Sequence, residues 1–388
     1  VNDTGAISQI PCSLGTYQPS YAQTSCLNAS PGYYVDSSAS PNQTPCSPGT
    51  YQPYNASTSC IDASAGYYVS GSASTNQTAC SPGTYQPSTG LTSCIDASAG
   101  YYVSGSASTS QTACSPGSYQ PNQGQTSCIE SSPGYYVDSY GASNQTSCPG
   151  GTYNPNFAST SSTDCLITSA GYYSANSSAV QTPCSPGTYQ PSSGQASCFE
   201  ASPGHHVPSF SSAIQIPCSP GTYQPHYGMS SCYIANSGYY VTPYGSTNQT
   251  ACEGGTYNPQ NGSSSSSDCI DASPGHHAPY QGMSQQYECN PGTYQPAARQ
   301  SNCTSADPGY FVSSNASTSQ EPCEAGTYQP GSGWSSCRQP HSGYYVPSAG
   351  SYNQTAADSG YYANAEDNDT TSQHPCLPGS FQSNTGRT

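Results

Sequence analysis

The chain has 388 residues, and Leu, Ile, Val, Met and Phe together account for only 32 of them, too few to fill the interior of one or two ordinary globular domains. Three basic residues, Arg299, Arg338 and Arg387, stand against 19 acidic ones. The resulting net charge of -16 excludes the Lys- and Arg-based grip on nucleic acid or on an anionic membrane.

Charged residues make up just 6% of the chain, so solubility must come from hydroxyls and amides, with attached sugar as a further source to look for. With 39 Gly and 35 Pro the composition would read as disordered, but 36 Tyr and 21 Cys argue against that. The closest cysteines are 14 positions apart, with no Cys-x-x-Cys. This spacing points to disulfides made on an oxidising, secretory route, and away from zinc, iron–sulfur or thiol redox chemistry. No apolar run approaches the length of a membrane span.

From Cys12 onward the cysteines recur in alternating steps of 14 and 20, giving a period of 34 residues with small insertions before Cys165 and Cys269. Fixed self-similarity at this length marks a quasi-linear array. Each period holds two related halves. In Cys80-Ser-Pro-Gly-Thr-Tyr-Gln-Pro and Ala99-Gly-Tyr-Tyr-Val, the glycines Gly83 and Gly100 are 17 apart, as are Tyr85 and Tyr102. The structural quantum is therefore a 17-residue half-unit, of which alternate copies carry cysteine.

Pro-Gly before Tyr reads as a turn, and Thr-Tyr-Gln and Tyr-Tyr-Val as short β-favouring pieces. The expected fold is a set of small disulfide-rich all-β or irregular repeats in an elongated, solenoid-like rod without helix. Residues 1–356 read as tandem 34-residue cystine repeats. Residues 357–375 read as a cystine-free half-unit replacing the regular pattern, since Gly343 and Gly360 stay 17 apart where a cystine half is expected. Residues 376–388 read as the start of a further repeat, and the natural array is expected to be longer than the chain.

Nearest-neighbour pairing allows the 14-step or the 20-step. The 14-step closes one Pro-Gly-Thr-Tyr loop inside one half-unit, and a loop of about 15 residues contributes roughly 3 kcal/mol in the chain-entropy description. The stretch Cys184 to Cys198, Cys-x-Pro-Gly-Thr-Tyr-x-Pro-x-x-Gly-x-x-Ser-Cys, resembles the ephrin-receptor-like cysteine-rich repeats of the GCC2/GCC3 type. It is similar, more distantly, to the first loop of tumour-necrosis-factor-receptor modules. The resemblance implies the 14-step: Cys12 with Cys26, Cys46 with Cys60, Cys80 with Cys94, Cys114 with Cys128, Cys148 with Cys165, Cys184 with Cys198, Cys218 with Cys232, Cys252 with Cys269, Cys289 with Cys303 and Cys323 with Cys337. Cys376 is left unpaired. The Cys-x-x-Cys that usually closes such repeats is missing here, so every second half-unit is expected to be unstapled and no ligand-recognition residue carries over.

Asn-x-Ser/Thr sequons stand at Asn2, Asn28, Asn42, Asn55, Asn76, Asn144, Asn176, Asn248, Asn261, Asn302, Asn315, Asn353 and Asn368. Five of them, Asn42, Asn76, Asn144, Asn248 and Asn353, occur as Asn-Gln-Thr ten residues after a Gly-Tyr-Tyr glycine, which predicts a column of glycans. Turn-favouring Asn copied by repeat duplication is the plainer reading.

His205-His206 and His276-His277 replace Tyr-Tyr. They read as planar rings and not as metal ligands, because neighbours in an extended piece face opposite sides and no further ligand stands at a suitable spacing. Asp164 and Asp268 read as loop caps, and Trp334 as a surface contact. No nucleophile motif, phosphate loop or catalytic acid pair is present, so no catalysis and no cofactor beyond covalent glycans is expected. What the sequence predicts is an extracellular structural glycoprotein that associates with further copies of its own array. The alternative is the stalk or ligand-binding ectodomain of a cell-surface receptor or adhesin.

Overall fold

The computed structural model describes residues 9–364 and 369–386. The half-units are two-stranded antiparallel hairpins with strands only two residues long, except that a single bridge, Tyr328 to Arg338, takes their place in the Gly326 half and no strand is formed in the Gly379 half. In the Gly83 half, Thr84–Tyr85 pairs with Ile95–Asp96. In the Gly100 half, Tyr101–Tyr102 pairs with Thr112–Ala113. Cystine-bearing and cystine-free halves therefore share one topology and one register.

The expectation of no helix holds for α-helix among the described residues. Two single 3-10 turns occur, at Ser162–Asp164 and Ser266–Asp268, where the chain carries its insertions. Ser161 and Ser265 cap these turns, and the carboxylates of Asp164 and Asp268 accept the N–H groups of the cap residues in return.

A hairpin this small is marginal alone, so it is completed by its successors. The N–H of Gly83 donates to Val103 O at 2.8 Å and that of Gly100 to Gln120 O at 2.7 Å, in each case the residue three positions after the next hairpin's glycine. The hairpin two steps on also contributes. At its tip the Gly141 N–H reaches Cys114 O at 2.8 Å, while the Gly141 carbonyl lies where a β-carbon on Gly100 would be. Gly100 also has φ +87°, which L-residues avoid. Glycine here answers two demands at once, the turn and the close approach of another backbone.

Such small apolar residues as the chain has are placed along the line of this stacking. Val103, Val137, Val207 and Val241 are buried three residues after the glycine in cystine-free hairpins. In cystine-bearing hairpins Gln86, Gln120, Gln190 and Gln224 take the same place, also buried. Three residues before the glycine, Ala97 or Ala201 alternates with Cys80 or Cys218, all of them buried.

A buried amide is costly unless every polar atom is matched. Gln86 meets that condition, with Nε2 donating to Ser93 O at 2.7 Å and Oε1 accepting from the Ser88 N–H at 3.2 Å. In the two insertion-bearing hairpins Asn154 and Asn258 replace Gln. Their shorter amides donate to Ser159 Oγ at 2.8 Å and Ser263 Oγ at 2.7 Å.

By density of contacts the chain divides into two units, Val1–Pro183 with Gln190–Cys198, and Cys184–Tyr189 with Phe199–Thr388. Within each unit the same hairpin step repeats.

The double demand on the leading glycine can be measured. Gly90, at a hairpin tip, has φ +71° but only ordinary contact with Asp62 at 3.5 Å where a β-carbon would stand, whereas Gly100 faces the Gly141 carbonyl. Gly90→Ala is expected to cost about 1–2 kcal/mol, the left-handed strain alone, and Gly100→Ala several kcal/mol more. Native-state hydrogen exchange should show protection of the Gly141 amide collapsing in the Gly100 variant.

Candidate functional site

The chemistry-bearing residues fall on fixed hairpin positions. Nine 14-step or insertion-lengthened pairs form disulfides with Cα separations of 5.7–5.8 Å: Cys12–Cys26, Cys46–Cys60, Cys80–Cys94, Cys114–Cys128, Cys148–Cys165, Cys218–Cys232, Cys252–Cys269, Cys289–Cys303 and Cys323–Cys337. Cys184 and Cys198 are disulfide-bonded as well, and Cys376 is not. A chain so fully oxidised belongs outside the reducing cytosol. Among the described residues no helix is long and apolar enough to cross a membrane.

Each disulfide joins the residue three before a hairpin's glycine to the one on the return strand, in regular hairpins eleven after it. In the cystine-free hairpins the return position is glutamine, and its side chain makes an equivalent tie. Gln111 Oε1 accepts the Ser98 N–H at 2.7 Å, beside Ala97, which holds the place of the first cysteine. The same bond recurs from Gln43, Gln77, Gln145, Gln181, Gln215, Gln249, Gln286, Gln320, Gln354 and Gln373, at 2.6–2.9 Å. Alternate half-units thus lack a disulfide, as expected, and carry a hydrogen-bonded tie in its place. Where a cystine half drops out, the Gly343 and Gly360 hairpins are held in succession by Gln354 and Gln373.

This tie also explains the geometry of the Asn-Gln-Thr sequons. The Gln turns inward to its acceptor role, so the Asn before it and the Thr after it point outward. Asn42, Asn76, Asn144, Asn248 and Asn353 are all exposed. Gln is present in all eleven ties, while the residue before it is also Ser110, Val180, Ile214, Gln285, Ser319 or Ser372. The fold demands the Gln and leaves the Asn open.

Asn28, Asn55, Asn302 and Asn315 are exposed at other hairpin positions. Asn176 and Asn261 are exposed too, but each spends its carbonyl oxygen on a backbone N–H, from Gly150 at 2.6 Å and Ser237 at 2.7 Å. Asn2 and Asn368 lie outside the described residues.

The histidine pairs occupy the Tyr-Tyr strand position, half-buried like the tyrosines they replace. His205 and His276 turn Nδ1 to the carbonyls of Pro203 and Pro274 at 3.3 Å. Their neighbours His206 and His277 lie against disulfide sulfur. His206 Nδ1 lies 3.2 Å from Cys232 Sγ, and His277 Nδ1 lies 3.2 Å from Cys303 Sγ. Spacing along the chain conceals this because the sulfurs come from the following hairpin, 12 and 26 residues on.

Charges are few and exposed. Arg299 sits 3.4 Å from Glu253 and 3.9 Å from Asp271, and the guanidinium of Arg338 lies 4.4 Å from the ring centre of half-exposed Trp334. Asp369 accepts hydrogen bonds from the hydroxyls of Thr371 and Ser372, which hold its carboxyl down at about 2. Comparison with known proteins finds no family model and no curated protein that matches the chain.

Equivalence of the two ties predicts that Ala97→Cys with Gln111→Cys creates an additional disulfide. Mass spectrometry after alkylation without reduction should find both new thiols blocked. Gln111→Leu, which leaves the Ser98 N–H without its acceptor, should lower local stability by about 1–2 kcal/mol, read as faster exchange of the Ser98 amide.

Proposed function

We propose that the chain is a structural extracellular glycoprotein, a rod-like array that serves as the shaft of a fibril, surface coat or appendage. The observation that carries this reading is the sameness of the step. Within each unit, hairpin after hairpin uses one backbone bond to its successor and one tip contact two steps on. An array of that kind lengthens by adding copies and needs no new core.

The remaining features suit an exposed shaft. Each described hairpin before Cys376 is tied by a cystine or by a glutamine, which resists local opening and proteolysis. Exposed Asn in the Asn-Gln-Thr triplets offers acceptors for sugar at one fixed hairpin position, which would supply the solubility that sparse charge does not. The disulfide pattern is in keeping with the resemblance to ephrin-receptor-like cysteine-rich repeats, which we retain as part of the proposal.

A second reading, a receptor or adhesin ectodomain, draws support from exposed aromatic rings, which recur along the chain from Tyr21 to Tyr280. Phe210, Tyr227, Tyr244 and Tyr280 stand at hairpin tips and are each more than 60% exposed. Exposed aromatic tips offer a basis for partner contact.

Electron microscopy of the native material separates the two readings. Thin filaments with an axial repeat are expected, and compact monodisperse particles would instead favour the ectodomain. Glycopeptide mass spectrometry is expected to find sugar on Asn76, Asn144 and Asn248. Bare asparagine at all three would remove the coated-shaft reading.

A further inference from the structure

The structure divides the tyrosines into two classes. Those of the strands, such as Tyr67, Tyr68, Tyr101 and Tyr102, are half-buried. Six others, Tyr21, Tyr54, Tyr140, Tyr227, Tyr244 and Tyr280, stand at hairpin tips, five or six residues after the leading glycine, and are 65–98% exposed. The fold does not ask for a ring there, since Ser72, Thr89, Ser106 and Gln123 hold the six-residue place in other copies. The backbone beneath the rings is nevertheless fixed. The N–H of Gly141, next to Tyr140, donates to Cys114 O at 2.8 Å, that of Gly228, next to Tyr227, to Ala201 O at 2.8 Å, and that of Gly245, next to Tyr244, to Cys218 O at 2.9 Å.

Exposed phenols are also the chain's main means of covalent attachment to another copy. The sequence has no Lys, which removes every linkage made through a lysine amine. Among the described cysteines all but Cys376 are closed in disulfides within the chain, and one thiol joins two copies at most. We infer that the six tip tyrosines are sites of oxidative coupling between neighbouring copies of the chain, which locks a filament covalently; the inference rests on the shaft reading above.

The oxidant for this step is hydrogen peroxide, used by an extracellular haem peroxidase. The enzyme removes one hydrogen atom from each of two phenol O–H groups, and the peroxide takes up both as its O–O bond breaks, leaving two waters. The two phenoxyl radicals then join through a new bond between ring carbons ortho to the oxygens, one Cε from each copy. Each ring moves the hydrogen on that carbon to its own oxygen, which restores both phenols. Coupling requires that a second ring reach the Cε edge, and a tip ring leaves that edge open where a half-buried strand ring does not. A fixed turn beneath the ring also limits the conformational freedom lost when two rings meet. Phe157 and Phe210 occupy the same tip position and, having no phenol, take no part.

The test takes native filaments and the purified full chain. Acid hydrolysis of the filaments is expected to release dityrosine, recognised by its fluorescence and mass, and mass spectrometry of reduced, pepsin-digested filaments is expected to place it on the tip tyrosines. Given peroxidase and hydrogen peroxide, the purified chain should form oligomers that survive denaturant and thiol. The variant carrying Tyr21→Phe, Tyr54→Phe, Tyr140→Phe, Tyr227→Phe, Tyr244→Phe and Tyr280→Phe should lose them. Phenylalanine already stands at the tip in Phe157 and Phe210, so this variant keeps the fold. Filaments free of dityrosine, cross-links confined to strand tyrosines such as Tyr102, or undiminished coupling in the variant would each overturn the assignment and leave the shaft reading standing. Absence of filaments would remove the shaft reading, and this inference with it.

Discussion

The whole arrangement depends on a backbone carbonyl occupying the space where the leading glycine of an earlier hairpin would carry a β-carbon. Gly15, Gly100, Gly204 and Gly309 all meet such a carbonyl, supplied by the hairpin two steps on, and the glycine's own N–H meanwhile donates to the hairpin one step on. Each hairpin is thereby fixed by two successors, and backbone atoms define the step. Side chains are left to fill what remains, which is little, and this is how so few large apolar residues suffice. The tip residue that supplies the carbonyl is also left-handed, yet it can be Ala56, Ala107 or Arg299 as well as glycine, because its β-carbon has room.

Filling that narrow interior with glutamine looks wasteful until its partners are counted. An amide that donates one bond and accepts another within its own loop brings no unsatisfied atom inside, and no buried side-chain nitrogen or oxygen among the described residues lacks a partner. It also makes the loop's shape specific. Asn154 and Asn258 show the point: the shorter amide comes with a longer loop, a serine to receive its bond and a capped 3-10 turn, and these changes occur together in both places.

Much of this is legible in the amino-acid sequence because a repeat displays its own constraints. Recurrence of Gly and Tyr every 17 residues locates the hairpins, and the loss of a cystine half near Gly360 without loss of step shows that disulfides do not set the spacing. The buried role of Gln86 and the tying role of Gln111 are not legible there, although both recur at fixed offsets. Glutamine ordinarily sits on surfaces, and nothing in its chemistry alone distinguishes an inward amide from an outward one. The approach of His206 to Cys232 is hidden for a different reason, since it joins neighbouring hairpins and emerges only once their stacking is known.

Comparing copies within one chain separates what the fold requires from what it permits. The leading glycine and the tying glutamine do not vary across the described cystine-free hairpins, and each has a geometric duty. The residue before the glutamine varies freely among Asn, Ser, Gln, Val and Ile, so the fold gives no reason for asparagine there. Its return in five copies is what repeat duplication gives, and threonine follows the glutamine without asparagine too, after Ser110-Gln111 and Val180-Gln181; the exposed pair is free to serve the sugar attachment proposed above. By the same logic His206 and His277 stand where tyrosine serves the packing equally well, and their departure from it places a nitrogen against sulfur twice over.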